Sequence, residues 1–400
     1  MALSKTEKIR VLRIINRFNI GGPTYNATFL ARFLPDEYET VLIGGLPEEG
    51  EVDSLHILEK YGVKPILIEE LKREPSLKSD REAFIKIRQI IREFKPHIVH
   101  THAAKAGALG RRAAFKEGVP IIIHTFHGHV FHSYFGKIKT AIFKTIERRL
   151  AKFSSGIIAI SEGQKHELSA IHNIAPAKKI EVIPLGFDLN EFRDKRLAYR
   201  DLVRNELGIK QDEVAVAIIG RLVPIKDHAF FFRSIELAQQ GFMSPVKIFI
   251  VGDGTEGLKL EQMANSLPTK PNVSIEFVSW VKDVARFNAA IDLICLTSKN
   301  EGTPVSLIEA QAANIPVLSV NVGGINDIVV NGETGIVIDQ REPELFAKKL
   351  IDLVNNNQLR EKLSQNGWQY VGKKYHYTTL VDRMNKYYKQ LLHDKGLLQK

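Results

Sequence analysis

The chain has 400 residues, 44% of them hydrophobic and 26% charged, with a net charge of +10 and a single cysteine. That length suffices for two or three domains, the composition is that of an ordinary globular protein, and one thiol excludes a disulfide framework. No run approaches about 18 apolar residues, which excludes a spanning helix, and the polar stretch before Arg10 lacks the apolar core of a secretory signal, so a cytoplasmic location is expected.

In chain order, short runs rich in Ile and Val occupy 11–16, 40–44, 65–68, 98–101, 121–125, 156–160 and 181–184. The second half continues with 214–219, 246–251, 273–277, 293–296, 316–320 and 335–338. Many are apolar on both faces, as strands covered by helices on both sides must be. Amphipathic stretches such as 80–94 and 226–240 lie between them. The alternation predicts an α/β architecture with parallel sheets. Thirteen strands exceed one ordinary sheet. The sequence Pro184-Leu185-Gly186-Phe187-Asp188 interrupts the pattern, and 191–212 then read as a charged helix. Rossmann-like domains are therefore expected at 1–187 and 188–374, followed by a segment 375–400. The helix at 379–393 in that segment carries a stripe of Leu380, Met384, Tyr387, Tyr388 and Leu391.

Parallel open sheets bind ligands beyond the carboxyl ends of their strands. The loops expected there are distinctive: Asn19-Ile20-Gly21-Gly22-Pro23, His127-Gly128-His129, 220–226, Gly252-Asp253-Gly254, 301–309 and Gly323-Gly324. Gly21 and Gly22, before a helix starting near Thr24, serve either as a structural turn or as a close backbone approach for an anion. Seven of the 13 histidines fall within 97–132. Few carboxylates accompany them, so core or hydrogen-bonding roles are expected rather than a metal site.

Gly220-Arg221-Leu222-Val223-Pro224-Ile225-Lys226 places two cations on one strand-to-helix connection, suited to a diphosphate. It does not match the Gly-x-x-x-x-Gly-Lys-Ser/Thr phosphate loop, which argues against a kinase or ATPase. Glu301-Gly302-Thr303-Pro304-Val305-Ser306-Leu307-Ile308-Glu309 sets two carboxylates eight residues apart across a loop and a helix start, suited to hydroxyls. Pro304 fits the first turn, and Gly302 and Thr303 can offer backbone N–H groups to oxygens. Cations for a diphosphate beside carboxylates for hydroxyls point to a sugar nucleotide. Spacing alone also admits 301 and 309 as a glycosidase acid/nucleophile pair, which would leave Arg221 and Lys226 unexplained.

The charge is uneven. Residues 1–190 hold 29 Lys/Arg against 21 Asp/Glu, and within 105–152 ten cations face only Glu117 and Glu147. Such a stretch reads either as a solvated helix face or as a surface for an anionic membrane. Nucleic acid is not expected, because no recognition motif accompanies the charge.

These motifs, from Glu301 to Glu309 and from Gly220-Arg221 to Lys226, resemble the retaining glycosyltransferases of family 4, with the two-domain GT-B fold. Thr101-His102-Ala103-Ala104-Lys105-Ala106-Gly107 and His127-Gly128-His129 resemble members that build bacterial surface polysaccharides. The resemblance covers nearly the whole chain. It implies two Rossmann-like domains whose parallel sheets face each other across a cleft, and a last helix that crosses back to the N-terminal, acceptor-side domain. It implies transfer of a hexose or N-acetylhexosamine from a UDP-linked donor to a saccharide or lipid-linked acceptor, by front-face attack without an enzymic nucleophile, metal or other cofactor.

By the same resemblance Arg221 and Lys226 grip the diphosphate, Glu309 binds the ribose, and Glu301 with Gly302, Thr303, Pro304 and Val305 binds the transferred sugar. His127 meets the sugar's 6-position, Gly21 and Gly22 sit near phosphate and acceptor, and Gly220, Gly252 and Gly254 line the donor site. Asp227 departs from the pattern, since many relatives have Gly there, and a carboxylate at that place could tune Lys226. Peripheral docking at the inner membrane through 105–152 is expected. The rival readings are a sugar-nucleotide 2-epimerase on a similar fold and an inactive nucleotide-sugar-binding protein.

Overall fold

The computed structural model describes residues 7–19, 21–47, 53–72, 74, 76–128 and 137–398, the side chains of 137–139 excepted. The chain divides into two compact units, one of residues 1–187 with 375–400 and one of 188–374.

Unit 1 is built on β1 (Ile9–Arg17), β2 (Tyr38–Gly45), β3 (Ile66–Leu67), β4 (Ile98–His102), β5 (Ile121–Thr125), β6 (Gly156–Ala159) and β7 (Ile180–Val182). They form one sheet in the order β3-β2-β1-β4-β5-β6-β7, with every pair parallel. Unit 2 is built on β8 (Val214–Ile219), β9 (Val246–Val251), β10 (Val273–Val278), β11 (Leu293–Leu296), β12 (Val317–Val320) and β13 (Gly335–Ile338). Its order, β10-β9-β8-β11-β12-β13, is again all parallel. In each sheet the strand order reverses beside the first strand, between β1 and β4 and between β8 and β11. That is where open α/β sheets leave a crevice for ligands.

Every expected run forms a strand. The ends shift where local chemistry decides them. β3 shrinks to two half-exposed residues at the sheet edge. The helix Leu77–Phe94 starts before residue 80 because Ser76 caps it, its Oγ accepting from the Ser79 N–H. The helix Gly22–Phe33 likewise starts at Gly22 rather than near Thr24. The helix expected from 226 begins at His228, because Asp227 takes a left-handed backbone with φ of 49°. That helix, His228–Ala238, buries Phe230, Phe231 and Phe232 in succession together with Ile235 and Ala238. The opposite side, with Arg233, Glu236 and Leu237, stays exposed, and each buried ring contributes roughly 1.5–3 kcal/mol. This anchors the loop that precedes it.

The charged helix is Asn190–Glu206, shorter than the expected 191–212. Its Arg196, Arg200 and Arg204 donate to the carbonyls of residues 288–291, and Arg200 and Arg204 both bind Asp292. The arginines thus satisfy the carbonyls left over where the helix Val284–Ala289 ends. The last helix, Tyr377–Asp394, belongs to unit 1. It buries Leu380, Met384, Tyr388 and Leu392 at strict four-residue spacing, against Ile9, Val11, Ile98, Ile121 and Ile158. Tyr387 and Leu391 of the expected stripe pack at its margin.

Candidate functional site

In unit 2 the loops at the switch point are locked to one another by backbone contacts that only glycine allows. A Cβ on Gly252 would stand 2.2 Å from the Gly220 carbonyl oxygen, and one on Gly254 2.4 Å from that of Leu222. Gly323, with φ of 54°, would meet the Glu301 carbonyl oxygen at 1.9 Å, and Gly324 that of Gly302 at 2.1 Å. The Gly324 N–H donates to the same Glu301 carbonyl at 3.0 Å. The loop after β8 also reaches the loop after β11. The Lys299 N–H donates to Ile225 at 2.8 Å, and the Thr297 hydroxyl donates to the carbonyls of Lys226 and Asp227.

This frame joins the expected cation to the expected carboxylate. Lys226 lies back over Gly220, where a Cβ would touch its Cε at 3.5 Å. Its Nζ then meets Glu301 Oε1 at 2.6 Å. Glu301 is only 9% exposed and also accepts from the Ser298 hydroxyl. Arg221 is exposed and makes no ion pair among the described residues. The structure therefore couples Lys226 to Glu301 and leaves Arg221 open to solvent. Pro304 sits at the N-cap position, one residue before the helix Val305–Ala312. The N–H groups of Gly302, Thr303 and Val305 have no acceptor among the described residues.

Glu309 is the fifth residue of that helix, half-buried, and its carboxylate has no hydrogen-bonding partner among the described residues. Burial pushes its carboxyl from 4.5 up to about 8. An oxygen donor arriving there would find a group that gains by being solvated.

Asp227 does not act on Lys226 by direct pairing. Its carboxylate is held by Arg341 and stands 3.8 Å from Lys299. Arg341 also donates to the Ser298 carbonyl at 2.9 Å. The left-handed backbone at Asp227, with φ of 49°, is one that glycine adopts without strain. Arg341, Ser298 and Thr297 are parts of the site frame that sequence reading missed. Thr297 and Ser298 adjoin the acidic loop and were open to discovery, whereas nothing local marks Arg341.

In unit 1, Gly21 caps the helix Gly22–Phe33, and its carbonyl accepts from the Thr24 and Tyr25 N–H groups. A Cβ on Gly22 would press on Leu185 at 2.8 Å. His127 follows β5, and its Nε2 lies 2.8 Å from His102 Nδ1. His129 and His132 lie outside the described residues.

The other histidines form a buried network. His100 reaches Tyr388 at 2.6 Å and Thr125 at 2.7 Å. His124 pairs with Thr101 at 2.9 Å. Arg13, fully buried, donates to Tyr388 at 2.8 Å and lies 3.1 Å from His100. Burial, with Arg13 as the next cause at His100, holds His100, His102 and His124 well below the usual histidine range, and burial brings His127 to about 3. These rings are neutral. Among the described residues no group of three or more His, Cys, Asp or Glu is gathered to hold a metal.

The basic stretch is less basic than its count. Arg111 is buried and bound to Glu147 at 2.6 Å, and Lys105 pairs with Asp80 from outside the stretch. Arg112, Lys116, Arg148, Arg149 and Lys152 remain exposed.

Residues 20–191 match the profile described as Glycosyltransferase Family 4, and residues 200–370 that of Glycosyl transferases group 1. The UDP-Gal:alpha-D-GlcNAc-diphosphoundecaprenol alpha-1,3-galactosyltransferase of Escherichia coli is 30% identical over 300 residues, covering 74% of this chain and 76% of its own. The capsular polysaccharide biosynthesis glycosyltransferase CapM of Staphylococcus aureus is 29% identical over 325 residues, covering 80% and 84%. The structure of Anabaena HepE in complex with UDP superimposes with a TM-score of 0.78 over 95% of this chain and all of that one, at 19% identity, which supports the fold. These relatives lend nothing to the epimerase reading. With two parallel Rossmann-like sheets and these matches along both halves, the chain belongs to the family 4 glycosyltransferases of the GT-B fold.

Proposed function

We propose that this glycosyltransferase takes a sugar from a UDP-linked donor and transfers it, with retention of configuration, to a hydroxyl of a saccharide or lipid-linked acceptor in surface-polysaccharide synthesis. The observation that carries the reading is the 2.6 Å pair between Lys226 and Glu301, set beside the unpartnered N–H groups of Gly302, Thr303 and Val305. A sugar nucleotide brings a diphosphate for the cation and hydroxyls for the carboxylate. Binding exchanges one internal ion pair for two contacts with the same molecule, and the charge that develops on the leaving diphosphate meets Lys226 and the free Arg221.

Glu309 takes the ribose hydroxyls, and Glu301 with the 302–305 backbone takes the transferred sugar. His127 takes the 6-position, and Gly21 and Gly22 allow phosphate or acceptor to approach. Gly220, Gly252 and Gly254 support the donor loops by admitting their close backbone packing. No metal or other cofactor is assigned, because the two cations supply the charge the diphosphate needs. The E. coli relative, whose name specifies a UDP-galactose donor and a lipid-diphosphate acceptor, supports this choice of substrates.

Calorimetric titration with UDP, GDP, ADP and their sugar conjugates tests the donor. Selective binding of the uridine series is expected, and preference for another base would overturn it. The anomeric configuration of the product, read by proton NMR, tests retention, and an inverted product would refute it.

We also assign docking on an anionic membrane to the basic stretch of unit 1. Phe115, Ile142 and Ile146 are 58%, 54% and 40% exposed among Arg112, Lys116, Arg149 and Lys152. Apolar side chains among exposed cations suit a bilayer interface. A cavity of about 540 Å³ nearby is lined by Arg148, Lys152 and Lys179 and suits a headgroup phosphate. Flotation with phosphatidylglycerol vesicles should fall with added salt, and equal flotation with neutral vesicles would count against the assignment.

A further inference from the structure

Directly after Lys226, the cation that meets Glu301 at 2.6 Å, the chain places another carboxylate, Asp227. An anion fixed beside Lys226 would repel a diphosphate and compete with Glu301 for the ammonium. The fold turns it elsewhere. The Asp227 Oδ2 accepts from Arg341 Nη2, and the Asp227 side chain is only 13% exposed. Lys299 is 3.8 Å from the same oxygen but 54% exposed, so solvent and salt screen most of its effect.

Arg341 is shaped to hold that carboxylate. It lies between β13 and the helix Pro343–Asn355. Its guanidinium carbon stands 4.7 Å from the centre of the Phe230 ring, and Phe230 is itself buried edge to face against Phe346 at 5.7 Å. Arg341 Nη1 donates to the Ser298 carbonyl at 2.9 Å. A planar cation seated on a ring, with one nitrogen on a carbonyl, has the direction of its other nitrogen fixed, and that nitrogen takes Asp227. The Ser298 hydroxyl in turn donates to Glu301. One guanidinium thus binds a neighbour of each member of the Lys226–Glu301 pair, Asp227 beside the cation and Ser298 beside the carboxylate.

We propose that Arg341 is a positioning residue for donor binding: it neutralises Asp227 and holds that carboxylate away from Lys226, which keeps the Lys226 ammonium available to a diphosphate. This rests on the reading above that Lys226 takes the donor diphosphate.

Calorimetric titration of UDP into the wild-type protein and a set of variants tests it. Arg341→Ala should weaken UDP binding about tenfold, the scale of one uncompensated charge at a partly exposed site. Asp227→Asn removes that charge and keeps a residue type that tolerates the left-handed backbone. Combining Asp227→Asn with Arg341→Ala should therefore recover most of the lost affinity. An arginine that served only to brace the loops would show no such rescue. Equal weakening by Arg341→Ala in both backgrounds would overturn the proposal, as would unchanged binding in Arg341→Ala alone. Thermal unfolding checks that each variant is folded, and Arg341→Gln, which drops the charge and keeps an N–H donor, carries the same comparison should Arg341→Ala not fold. The donor reading fails on a different variant: UDP affinity unchanged in Lys226→Ala would refute the diphosphate contact, and the role of Arg341 would fall with it.

Discussion

The two units repeat one strand order and handle polarity in opposite ways. In unit 1 the polar groups are inside the sheet: β4 and β5 carry His100, Thr101, His102, His124 and Thr125, all buried, with Arg13 on β1. In unit 2 the central strands are dry, with β8 wholly Val, Ala and Ile, and the charges stand on the loops beyond them. In unit 1 Arg13, His100, Thr125 and Tyr388 bond one another, which serves rigidity, whereas His102 Nε2 and His127 Nδ1 are buried without a partner. Unit 2 leaves Arg221, Glu309 and three backbone N–H groups unsatisfied, so they serve a ligand. A shared topology thus says where a site lies and little about which side chains make it.

The contrast can be broken by substitutions that should divide stability from binding. Glu147→Ala leaves the buried Arg111 guanidinium uncompensated and should cost roughly 3–5 kcal/mol of stability, with donor affinity unchanged. Thermal unfolding and calorimetry together check it, and loss of binding in a folded variant would erase the division. Lys226→Ala should do the reverse, lowering turnover by roughly 100-fold with little change in melting temperature, since the group it loses stabilises charge on the diphosphate.

Glu309→Ala should weaken donor binding by roughly 1–3 kcal/mol. Its pH behaviour sharpens the point. The carboxyl titrates near 4.5 when free and at about 8 in the fold. Between those values the unfolded chain has lost the proton and the folded chain keeps it. Stability therefore falls as pH rises through that window, and Glu309→Gln should gain on wild type toward pH 8. Donor hydroxyls that bind the carboxylate should release a proton at pH 7, seen as a buffer-dependent heat of binding. Smallest is Tyr388→Phe, which removes the hydroxyl shared by Arg13 and His100 and should cost about 1 kcal/mol of stability. A loss of donor affinity there would place the histidine network with the ligand rather than with the fold.

Strands were legible because their periodicity is strong: runs such as Val214 to Ile219 admit few other readings. The cation and carboxylate loops were legible because Gly220, Pro304 and the paired acids sit at strand-to-helix junctions. What escaped was long range. Nothing near Arg341 says that it will hold Asp227, 114 residues away. The positive count around 105–152 concealed Arg111 inside the protein, because a charge total is blind to burial. His100 gave no sign that both its nitrogens would be satisfied, since Tyr388 and Thr125 do that from other elements.

The last helix has a consequence for synthesis. Unit 1 closes its core with Leu380, Met384, Tyr388 and Leu392, and Tyr388 bonds Arg13 across 375 residues of chain. A ribosome that has delivered residue 374 has completed unit 2 and left unit 1 with an open apolar face. The N-terminal half, made first, is finished last. Its exposed Ile and Val surface must be kept from aggregating for the whole translation of unit 2, which makes the nascent chain a natural client for a chaperone that releases it only after the final helix emerges.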